Sequence, residues 1–151
     1  MSALEILAAT GFAIVAFVAV YIVASRNEIG SPALAAALSA GFATYSAATI
    51  YQEGVILVWT NHTTNMWGVQ VWWDLLLAAG IALFFIVPRA NKVGMIVPLW
   101  ALFVVSTASI GLLAMCARLF WLENAAATQA SSAKGSDTAS GAAGGPAKTK
   151  A

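Results

Sequence analysis

Charge is what this sequence most lacks. Only 9% of its 151 residues are charged, against 61% hydrophobic. A water-soluble domain carries roughly 25% charged residues, because its surface must be solvated. Several of the few charges fall after Glu123, so the rest of the chain has almost nothing with which to coat a wet surface. Lipid is the solvent that this composition fits.

Cysteine and histidine are nearly absent as well. The single Cys116 excludes an intrachain disulfide and a thiolate-rich metal site, and its apolar neighbourhood marks it as a small packing residue. The single His62 is too little for structural zinc or for bis-histidine haem within one chain. His62 with Met66 is the one haem pair that remains, and no cofactor is expected. A net charge of +1 supplies no basic field for nucleic acid. No Lys or Arg precedes the first apolar run, which opens Met1-Ser2-Ala3-Leu4-Glu5. A cleaved signal peptide begins with such charges, so this run is expected to be retained.

What is present is long apolar segments. About 20 such residues span a bilayer as a helix. The sequence predicts spans over 6–24, 32–53, 67–87 and 93–122. Ser31 suits the N-cap of the second and Pro32 its first position. Pro88 is expected to end the third, and Pro98 falls in the first turns of the fourth, where proline is tolerated. The short connections 25–31 and 88–92 predict two helical hairpins. The expected fold is therefore all-α, a four-helix up-down bundle in the membrane over residues 1–123. Residues 124–151 turn to Ala, Ser, Thr, Gly and Lys and are expected to form a disordered, water-exposed tail.

Arg26, Arg89 and Lys92 in the two connections outnumber Arg118, or Arg118 with Lys134, on the other side. The positive-inside bias then puts both connections in the cytoplasm, and both termini with the 60–66 loop outside. The Ala/Gly/Ser bias of the tail fits a bacterial inner membrane. Trp59, Trp67 and Trp121 stand where an interfacial aromatic belt belongs. Asn61-His62-Thr63 fits the glycosylation acceptor pattern, which recurs by chance. Small residues repeat along the second span (Ala33, Ala37, Ala40, Thr44, Ala47) and along the fourth (Thr107, Gly111, Ala114). Such stripes suit close helix packing, within the bundle or in a homo-oligomer or with another membrane protein.

One polar constellation stands out. Asp74 sits about 10 Å inside the third span, where an ionisable group is costly and needs a partner or a cavity. Gln70 shares its face one turn earlier. In a four-pass bundle the end of span 2, the start of span 3 and the end of span 4 share one membrane side. This gathers Glu53, Gln70, Asp74 and Arg118, with His62 and Asn65 in the adjoining loop, and predicts an Asp74–Arg118 ion pair that fixes helix register or holds a ligand. Three functions are compatible: a non-enzymatic subunit or assembly protein, a transporter or channel protomer, and a membrane-embedded enzyme relying on Glu53, His62 and Asp74. No nucleophile motif accompanies those three residues.

Overall fold

In the computed structural model the described residues are 2–25 and 28–143, with side chains described up to Lys134. They form helices only: α1 Ala3–Ala24, α2 Pro32–Glu53, α3 Ile56–Thr63, α4 Met66–Lys92, α5 Val97–Thr107 and α6 Ser109–Ala143. Four of these, α1, α2, α4 and the Ser109–Lys134 part of α6, are long and apolar enough to cross a membrane. The chain is an all-α protein of the integral-membrane kind.

The helix starts follow from local chemistry. Ser2 and Glu5 form a reciprocal capping box, with Glu5 N–H donating to Ser2 Oγ at 3.2 Å and Ser2 N–H to Glu5 Oε2 at 2.7 Å. Ser31 caps α2 by accepting from Leu34 N–H at 3.2 Å, with Pro32 just inside. Asn65 caps α4 by accepting from Gly68 N–H at 2.8 Å. Pro88 does not end α4, which runs through it to Lys92. A proline removes one backbone bond, and here it does so in the last turns of a long helix, where few bonds depend on it. The α3 helix joins the apolar residues 56–59 to the first half of what the sequence presents as the 60–66 loop.

The fourth apolar segment is not one helix. It breaks at Ala108, whose φ of 49° is the one positive value outside glycine among the described residues, and the chain reverses. Two contacts prove the reversal. Met95 N–H donates to Ala90 C=O at 3.0 Å, so α5 begins beside the end of α4. Glu123 of α6 bonds Arg89, at that same end of α4. A continuous helix would hold Val97 and Glu123 roughly 39 Å apart. Instead α5 runs away from the Arg89 end and α6 runs back to it.

Gly111 allows the two arms to touch near the tip. A Cβ there would lie 2.7 Å from the Phe103 carbonyl oxygen, so the absence of a side chain is what lets the backbones meet. Antiparallel to α6 lies α2, with Ser39 Oγ donating to Ile110 C=O at 3.0 Å and Gly30 pressed against the Phe120 ring. α2 packs through the face carrying Ala35 and Ser39, whereas the predicted small-residue stripe Ala33, Ala37, Ala40, Thr44 and Ala47 is exposed; of the fourth-span stripe, Gly111 lies in a helix contact.

The core is at one end. Ala90, Met95, Val104, Met115 and Leu119 are buried together, flanked by Leu83, Ile86, Trp100 and Phe120. α6 is the common partner, packing against α2, α4 and α5. The remainder is open: α1 has no buried residue, and neither the half of α2 after Gly41 nor α4 before Ala90 contains one. Beyond Ala125 the described α6 side chains are exposed. This is the Ala-rich start of the expected tail, and alanine favours helix even without packing. Residues 144–151 of that tail lie outside the described residues.

Candidate functional site

The six sequence-predicted site residues fall in the half of the molecule away from the core, except Arg118. His62 lies at the α3–α4 corner, its ring 5.3 Å from the Trp72 ring, while Trp59 meets Trp72 edge-on at 6.3 Å. His62 Nδ1 is 2.6 Å from Val58 C=O. A carbonyl only accepts, so Nδ1 carries the hydrogen. Asn65 is committed to capping α4. Glu53 ends α2, exposed.

Asp74 and Arg118 do not meet. Arg118 is about 7.5 Å along α6 from Glu123, and Asp74 about 22 Å along α4 from Arg89, which Glu123 bonds. With α4 and α6 running the same way, roughly 15 Å of depth separates the two charges. The expectation of a pair rested on a single continuous fourth span; the reversal at Ala108 carries Arg118 back to the Arg89 end. There its guanidinium stacks over the Trp121 ring at 4.6 Å, a cation–π contact that leaves it exposed.

Glu123 and Arg89 form the ion pair that sequence reasoning missed, because four passes would have put them on opposite membrane faces. Arg89 Nε donates to Oε1 at 2.9 Å and Nη2 to Oε2 at 2.6 Å. Arg89 also lies 5.5 Å from the centre of the Phe120 ring.

Asp74 faces away from the chain. Its expected inward orientation assumed that the polar groups of α4 turn toward the bundle. The face of α4 that packs is instead the one bearing Leu83, Ile86 and Ala90, which helical geometry puts nearly opposite Asp74. Trp67, Gln70, Asp74, Leu77, Ile81 and Phe84 are all exposed. Their spacing alternates three and four residues, the repeat by which helices pack side by side along a seam. Asp74 has no hydrogen-bond or ion-pair partner among the described residues. Gly80, beside the seam, meets no atom within 4 Å of where its Cβ would stand.

Among the described residues no three His, Cys, Asp or Glu side chains gather to hold a metal ion, and Cys116 is a half-buried free thiol within α6. Comparison with known proteins gives no match, whether to a family model, a curated sequence or a solved structure.

Proposed function

We propose that this chain is a non-enzymatic subunit or assembly protein of a membrane complex. Asp74 carries the reading. It lies about 12 Å into α4, outward-facing and without a partner among the described residues. On insertion scales an aspartate in the middle of a membrane helix costs about 2.5–3.5 kcal/mol, and such residues face a partner or a water-filled cavity rather than lipid. A neighbouring protein against α4 would remove that cost. The unburied α1 and the open half of α2 offer further surface of the same kind.

The cationic end, with Arg89, Lys92 and Arg118, is then the cytoplasmic one of an inner membrane. This keeps the 60–66 corner outside but moves the α6 extension to the cytoplasm. The test of the subunit reading is photo-crosslinking in native membranes from a probe replacing Leu77. A protein adduct that survives mild-detergent purification supports it; recovery of a solitary chain with lipid adducts only overturns it.

A second reading, a transporter or channel protomer, is favoured by the break at Ala108. Interrupted helices in the membrane are where transporters bind substrate. Solute flux through vesicles containing the purified chain, sensitive to changes at Ser106 and Ser109 beside the break, would favour it.

A further inference from the structure

The seam on α4 has a chemistry as well as a shape. Its outer part is Trp67, Gln70 and Asp74; its inner part, Leu77, Ile81 and Phe84, is apolar. A helix laid along it would meet a carboxylate at one depth and only apolar side chains deeper in the membrane. Among the described residues every Lys and Arg lies toward the opposite end of α4 or beyond it, Arg118 nearest at roughly 15 Å from the depth of Asp74 and Arg89, Lys92 and Lys134 farther still. Arg89 already holds Glu123.

That distribution decides what can cover Asp74. A second copy in the same orientation would bring Asp74 against Asp74 and supply no cation at that depth from its described residues, and like charges side by side repel. A copy inserted upside down is opposed by the one-sided placement of the basic residues, which biases every chain toward one orientation. The charge must be answered by another chain.

We propose that the α4 seam docks a transmembrane helix of a different membrane protein, and that this helix places a Lys or Arg at the depth of Asp74. The inference rests on the subunit reading and names the partner's chemistry. Guanidinium or ammonium against carboxylate satisfies both charges away from water. Gln70, one turn toward the surface on the same seam, adds a hydrogen-bonding group beside the pair. The open space at Gly80 lets the docked helix approach closely below it.

The test uses the full chain in phosphatidylcholine vesicles with a Leu-rich transmembrane peptide. The peptide carries one Lys about 12 Å from its end, or Leu at the same position, and association is read by fluorescence energy transfer. The Lys peptide should bind about tenfold more tightly than the Leu peptide. Asp74→Asn should abolish that preference and Asp74→Glu should keep it. The reversed pair, Asp74→Lys with a Glu peptide, should recover it. Equal binding of the two peptides, or a preference that survives Asp74→Asn, overturns the inference. The Leu77 photo-crosslink separates the two levels. A homodimer adduct there overturns the foreign-partner inference and leaves the subunit reading standing, whereas lipid adducts alone end both.

Discussion

Arg89 and Glu123, 34 residues apart in sequence, are joined by two parallel hydrogen bonds of 2.9 and 2.6 Å that tie the last turns of α4 to α6. The pair lies at the edge of the core, Arg89 40% and Glu123 16% exposed. It is part of what pins the returning arm of the α5–α6 hairpin beside α4.

Glu123→Gln should therefore lower stability in mild-detergent micelles by about 1–2 kcal/mol, less than for a fully buried pair because Arg89 reaches solvent. Arg89→Gln should cost a similar amount. Exchanging the residues, Arg89→Glu with Glu123→Arg, should recover part of the loss. Denaturant titration followed by tryptophan fluorescence measures all three, and full additivity of the two single changes would show that the contact contributes nothing.

Ala108→Gly should stabilise the protein. Ala108 holds φ 49° and ψ −116°, a conformation in which its Cβ is strained and glycine is not. The gain should be about 1 kcal/mol, and Ala108→Val should destabilise by more, since a β-branched side chain tolerates positive φ worst. The same titration tests this, and destabilisation by glycine would speak against the reversal.

Gly111→Val should separate the hairpin arms. The added Cβ would meet the Phe103 carbonyl and the Thr107 hydroxyl, each at 2.7 Å, and backbone cannot yield as a flexible side chain can. Overpacking of this kind costs about 1–3 kcal/mol. Ser39→Ala removes the bond to Ile110 C=O and should cost about 0.6 kcal/mol, the average for hydrogen bonds between membrane helices. An equal effect of Gly111→Val and Gly41→Val, where a Cβ meets nothing, would contradict the close approach.

Sidedness gives a fourth check. A reporter fused after Lys134 should lie on the same membrane face as one inserted at Gly94, between α4 and α5. A continuous fourth span would put them on opposite faces, so opposite signals would refute the fold-back.

Much of this was legible beforehand, and what was not has a physical cause. The apolar runs, the Ser31 cap with Pro32 and the cost of placing Asp74 inside a span all follow from composition and local chemistry. The reversal at Ala108 does not. Neither Gly nor Pro occupies the break, and the short hydroxyl cluster Ser106, Thr107 and Ser109 around it is too brief a dip between two apolar arms to end a span by hydropathy. What makes the turn is packing between residues distant in sequence: Gly111 on Phe103, Ser39 on Ile110, Glu123 on Arg89. From that one miss follow the misplacement of Arg118 and the false pairing with Asp74. The outward face of α4 did have a signal, the alternating spacing of residues 67, 70, 74, 77, 81 and 84. A polar stripe in a membrane helix suggests an inward face only when the other helices of the chain are there to meet it.

Because α6 is the partner shared by α2, α4 and α5, the order of synthesis constrains assembly. When the ribosome has made α1, α2 and α4, each is a separate rod in lipid with no lasting hold on the others. The parts lock only after Met115, Leu119 and Glu123 have been made, late in translation. Until then Asp74 and its seam are as accessible to a neighbouring polypeptide as they are afterwards, so a partner can be recruited before the chain has finished closing on itself.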